Sequence, residues 1–147
     1  MSRHLLSIVL LSPLAGAAVL LLVPDRARRV LRGVALASAL PPLVISIFLL
    51  GLYDTSRGGF QFRESWPVVE SLGIQYHLAI DGLSLSLVLL TAFIYLTGIT
   101  TTWYLERREK EFFLFLALLV TGVFGVFTSL DLFLFFLFYE LAVLPMY

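Results

Sequence analysis

Cysteine is absent from all 147 residues, which excludes disulfides, thiolate zinc sites and cysteine-held iron–sulfur clusters. It also leaves the redox compartment unreadable. Histidine occurs twice, as His4 near the N-terminus and His77 in a polar segment, so neither sits inside an apolar run where it could hold a haem. Charge is scarce too: 14% of the residues are charged, ten basic against ten acidic, for a net charge of zero. The basic residues form no stripe along a helix that could track phosphates, which makes nucleic acid an improbable partner.

What fills the chain instead is hydrocarbon. Hydrophobic residues make up 60% of it and the mean hydropathy is +0.99, leaving too little polar surface for a water-soluble fold. This composition is that of an all-α integral membrane protein. A spanning helix needs about 20 mostly apolar residues, and four runs supply them, near 5–23, 30–53, 83–105 and 112–130. A fifth begins at Leu132 and runs to Tyr147, a length of about 24 Å against a hydrocarbon core of about 30 Å, so the chain stops before it has crossed. The expected architecture is one membrane domain over 1–147: four full transmembrane helices and an incomplete fifth. The run from Leu5 to Val23 is preceded by Arg3 and His4 and contains Ala15, Gly16, Ala17 and Ala18, as a signal peptide would. Its length and the spans that follow argue for a retained helix.

The connections set an orientation. The first carries Arg26, Arg28 and Arg29, with Arg32 just beyond; the third, ERREKE, carries three basic residues among three glutamates. Both read as cytoplasmic. The second connection has only Arg57 and Arg63, and the fourth, TSLD, has none, so both read as outside, with the N-terminus outside as well. Arg3 and His4 argue weakly the other way. In the long second connection Phe60 and Phe62 alternate with polar residues, and Ile74, Tyr76, Leu78 and Ile80 alternate with Gln75, His77 and Ala79. That is the period of a strand with one covered face. A short hairpin on the outer surface is one reading of this segment, with Trp66-Pro67 and Gly73 as turn or breaker signals; an irregular loop with aromatic anchors is the other.

Pro13 and Pro41-Pro42 remove backbone donors inside the first two spans and should bend them, most commonly as a matter of packing. Gly122 and Gly125, with Thr121 and Thr128, form a small-residue face on the fourth span suited to close helix contact.

The candidate functional residue is Glu140, in DLFLFFLFYELAVLPMY. Asp131, at the start of this span, is placed to cap it. Glu140 lies nine residues further on, about 13 Å deeper and near the middle of the hydrocarbon. An ionised carboxylate there costs about 2.5–3.5 kcal/mol on insertion scales, so it must face protein or water. Desolvation raises a carboxylate's pKa and a neighbouring cation lowers it, so a group held between the two can exchange protons near neutral pH. Pro145 leaves the carbonyl of Leu141 without its helical donor, an acceptor beside the carboxylate. A structural ion pair and a packing kink are the blander readings. Lys110 and the arginines all lie at span ends or in connections, so a cation that tunes Glu140 has to come from outside this sequence.

The stretch DLFLFFLFYELAVLPMY resembles the fifth transmembrane helix of subunit M of the proton-pumping NADH:quinone oxidoreductase, respiratory complex I, an antiporter-like subunit. YHLAIDGLSLSLVLLTAF, with Asp-Gly-Leu-Ser at 81–84, resembles the start of that subunit's third helix. The likeness covers the whole chain but only the N-terminal third or so of a family member; Tyr139 stands where a tryptophan is common. It implies that Glu140 belongs to a line of buried charged residues, as a proton relay paired with a lysine on a later helix that is absent here. It implies no cofactor, metal or redox centre in this chain, with NADH and quinone used by other subunits. The implied partners are other membrane-arm subunits, the lipid bilayer and protons, and the implied location is the bacterial plasma membrane. A subunit of a multisubunit sodium/proton antiporter, and a truncated piece without transport activity of its own, are the alternatives.

Overall fold

The computed structural model describes residues 4–69, 74–104 and 108–146. Five α-helices and one β-hairpin follow in the order α1 (Leu5–Leu22), α2 (Arg28–Leu52), β1 (Gln61–Val69), β2 (Ile74–Ile80), α3 (Gly82–Thr101), α4 (Glu109–Thr128) and α5 (Leu132–Val143). The four helices α1 to α4 are each long and apolar enough to cross a membrane. They pack as a ring, α1 on α2, α2 on α3, α3 on α4 and α4 back on α1, while α5 lies against α4. The fold class read from composition holds: four long apolar helices and a shorter fifth. Chain connectivity puts the hairpin at one end of the bundle and the basic connections at the other.

Two of the five helices, α3 and α5, begin on a side-chain cap legible in the sequence. Asp81 caps α3, its carboxylate accepting from the Ser84 amide at 2.7 Å. These hydrogen bonds hold the Asp81 carboxyl below its ordinary range, and they explain Asp-Gly-Leu-Ser as a helix start. Asp131 caps α5 as expected, accepting from the Phe133 and Leu134 amides at 2.9 and 3.1 Å. α1 and α2 run unbroken through their prolines. In α1 the carbonyl of Val9, which Pro13 cannot serve, receives the Ser12 hydroxyl at 3.4 Å, a side-chain donor making good a backbone loss.

The hairpin is formed, but its details differ from the alternation. Trp66-Pro67 is not a turn: both residues lie within β1, opposite Tyr76 and Gln75, because a two-stranded sheet leaves an outer edge where proline's missing donor costs nothing. Gly73, Arg3, Glu106 and Arg107 lie outside the described residues. Gln61 pairs with Ile80 but Glu64 with Leu78, so β1 carries one extra residue between them. Phe62 takes a left-handed φ of 55° at this bulge. The consequence is a change of face. In unbroken register Glu64 would oppose His77 and point away from the bundle; the bulge sets it opposite the fully buried Leu78. The α4–α5 connector joins the sheet as well, with Ser129 bridging Leu78 and the Leu130 amide donating to the His77 carbonyl at 2.9 Å. That bond fixes where α5 begins.

Candidate functional site

Glu140 is held by a seam between two helices. Gly122 and Gly125 of α4 face Ala142 and Phe138 of α5 so closely that a Cβ on either glycine would overlap them. The small-residue face is therefore the bed of α5. Residues 138 and 142 share one side of α5, one turn apart, and Glu140 lies midway between them in sequence, about 200° round the helix from each. It accordingly sits on the side away from α4 and is exposed on this chain's surface, amid Phe133, Phe136, Leu137 and Tyr139, which are exposed too. Among the described residues Glu140 has no hydrogen bond or ion pair through its carboxylate. The burial expected of it is not supplied by α1 to α4. Its backbone carbonyl accepts from the Leu144 amide. The α-helix then gives way at Pro145 to a 3₁₀ turn over Leu144–Met146, in keeping with the donor that proline lacks.

Two further carboxylates that the sequence left in connections are buried instead. Glu64, 3% exposed, accepts from the Leu6 amide at 2.8 Å, the Ser7 amide at 3.3 Å and the Ser7 hydroxyl. The hairpin thereby caps α1, whose own N-cap, His4, makes no side-chain hydrogen bond and whose first turn has no acidic residue. Because the Ser7 hydroxyl donates to Glu64, the Tyr76 hydroxyl, 3.1 Å from Ser7 Oγ, is left to donate to Ser7. Burial pushes the Tyr76 phenol above its ordinary 10.0, the Glu64 charge adding to this and the Ser7 contact opposing it. At the other end of α1, Lys110 Nζ donates to the Leu21 carbonyl at 3.1 Å. An anion at the N-terminus and a cation at the C-terminus, both borrowed from other elements, match the α1 macrodipole. The missing cap on α1 was the signal in the sequence that an outside acceptor was needed.

Glu109, 5% exposed, pairs with Arg32 through Oε1, and the Arg32 guanidinium lies over the Trp103 ring at 5.2 Å. The pair ties the start of α4 to the first turns of α2. In the bundle interior the Ser38 and Tyr95 hydroxyls meet at 2.7 Å, joining α2 to α3 where Gly16 of α1 approaches Ser38 with no room for a Cβ.

Four helices long and apolar enough to span, with a shorter apolar fifth that presents an exposed carboxylate, define a multi-pass membrane protein. No protein-family model matches the chain. It is 37% identical over 149 aligned residues to NADH-quinone oxidoreductase subunit M of Rhodobacter capsulatus, covering 99% of this chain. It is 35% identical over 143 residues to the chloroplastic NAD(P)H-quinone oxidoreductase chain 4 of Chara vulgaris, covering 97%. Among solved structures it matches a chain of an archaeal respiratory membrane complex, the membrane-bound sulfane sulfur reductase. That match has a TM-score of 0.72 and 26% identity, and it covers 94% of this chain and 21% of that one. The chain is thus a homologue, over nearly its whole length, of the subunit M and chain 4 proteins of NADH-quinone oxidoreductases. It spans 29% of the length of these two relatives.

Proposed function

We propose that this chain forms the N-terminal part of an antiporter-like membrane-arm subunit in a complex I-like NADH:quinone oxidoreductase, with Glu140 as a proton-relay carboxylate. The observation that carries the reading is a carboxylate on the apolar helix α5, exposed on this chain and turned away from α4, in a chain homologous to such subunits; helix geometry puts it near mid-depth of a bilayer. A carboxylate cannot face lipid at that depth without a large penalty. A partner element bearing a cation lowers that penalty and draws the group's pKa toward the range where protons exchange. NADH and quinone are then handled by other subunits, and this chain contributes to proton movement across a bacterial plasma membrane, with its N-terminus outside. The basic residues gathered at the end of the bundle away from the hairpin support that orientation.

In the assembled complex Glu140→Gln should lower proton pumping several-fold, measured by quenching of a pH-sensitive dye in sealed vesicles, while the subunit still assembles. Pumping at the wild-type rate in a normally assembled complex would exclude the relay role. The likeness to a sulfane sulfur reductase complex favours a second reading, a respiratory complex with another electron acceptor. Pumping that persists with a sulfur acceptor and stops with quinone alone would select it.

A further inference from the structure

α5 is joined to α4 by three residues, Ser129 to Asp131. Three extended residues can reach about 10 Å, so the connector alone would let α5 start at many heights over the end of α4. Contact between the two helices narrows the choice only in part. Among the described residues of α5 only Phe138 is buried; it sits on Gly125, and Ala142 sits on Gly122. Glycines raise no ridge for a neighbouring helix to catch on. The seam therefore settles which side of α5 meets α4 more firmly than it settles how far α5 lies along its axis.

The hairpin supplies the axial position. Ser129 forms an antiparallel bridge with Leu78, and the Leu130 amide donates to the His77 carbonyl at 2.9 Å, so the connector lies along the edge of β2 that β1 leaves open. β2 cannot follow a drifting helix. Leu78 and Ile80 are fully buried, β1 pairs along the other edge, and the strand packs on α1, α3 and α4 as well as on α5. It also runs through Asp81 into the capped start of α3. Directly after Leu130, Asp131 caps α5. From there a rise of about 1.5 Å per residue carries the height set at residue 130 to residue 140.

We propose that Leu130 is a positioning residue for Glu140: its amide, held by the His77 carbonyl, sets the height of α5 on α4 and so the distance from the Glu140 carboxylate to the charge that faces it in the complex. The inference rests on the relay role proposed above for Glu140. A charge acts strongly on a carboxylate within about 4–6 Å, so a slide of one residue's rise, about 1.5 Å, is a sizeable part of the working distance.

Leu130→Pro removes the donor. Ser129 ahead of it already has φ −74° and ψ 130°, the extended backbone that a following proline requires. Leu130→Ala keeps the amide and, the side chain being exposed, serves as the control. In the native complex, cryo-electron microscopy would report the position of α5 against α4, and dye quenching in sealed vesicles the pumping per electron pair across a series of pH values. We expect Leu130→Pro to slide α5 by about 1.5 Å or more, to lower pumping several-fold and to move its pH profile, while Leu130→Ala matches the wild type in all three. Should the proline variant fail to assemble, replacing Leu130 by its α-hydroxy acid, which puts an ester oxygen where the N–H was, decides instead. α5 at its wild-type height without the donor, or an equal slide in Leu130→Ala, would overturn the proposal. So would unchanged pumping where α5 has moved and Glu140→Gln does lower it. Wild-type pumping by Glu140→Gln would instead remove the relay role, with the position of α5 still reporting whether the amide holds it.

Discussion

Glu64 shows how one side chain can decide the position of a whole helix. Its carboxylate supplies the acceptor that the first turn of α1 lacks. Glu64→Ala should therefore destabilise the protein by about 1.5–3 kcal/mol, the range for hydrogen bonds to a charged group, and Glu64→Gln by less, since one acceptor oxygen remains. Thermal unfolding of the two variants in detergent, followed by circular dichroism, would rank them. Tyr76 gives the same contact a pH signature. Its phenol is raised above 10.0, so its donation to Ser7 is intact below the ordinary phenol range and is lost as pH rises through the raised value. Subtracting the phenolate absorbance of Tyr76→Phe from that of the wild type should reveal one tyrosine ionising later than a free one; coincidence with free tyrosine would refute it.

At the scale of elements, the contact between α4 and α5 depends on two missing side chains. A Cβ at Gly125 would fall on the Phe138 ring, and one at Gly122 on the backbone of Ala142. A ring can shift but a backbone cannot without moving its helix. Gly122→Ala should therefore cost more than Gly125→Ala, within the span of about 1–3 kcal/mol typical of overpacking. Thermal unfolding of both glycine variants in detergent, followed by circular dichroism, would rank them. The hairpin makes a parallel point. Without the bulge at Phe62, Glu64 would sit on the solvent face, so deleting Phe62 should produce the same defect as removing the carboxylate.

For the molecule as a whole, α1 to α4 close on one another and α5 rides on the outside with its acidic, aromatic face uncovered. A partner element covering this face follows from the proposed function. The native chain has no cysteine, so Glu140→Cys would carry a single thiol. We expect it to react readily with a maleimide when the chain stands alone in detergent and to be protected in the assembled complex. Equal reactivity in both states would mean that α5 borders water or lipid rather than a partner element.

The sequence by itself determined the helices and the place of Glu140 along α5. Long apolar runs have one stable form in a bilayer, Asp131 marks where α5 begins, and a rise of 1.5 Å per residue does the rest. The homology was legible as well, in DLFLFFLFYELAVLPMY and in the Asp-Gly-Leu-Ser start of α3. Only the tertiary structure decided which way groups face. A bulge of one residue turns Glu64 inward, Lys110 and Glu64 reach α1 across 89 and 58 residues of chain, and the glycine seam turns Glu140 outward. Such facts depend on register and on contacts remote in sequence, whereas local periodicity reports only which face of an element is apolar.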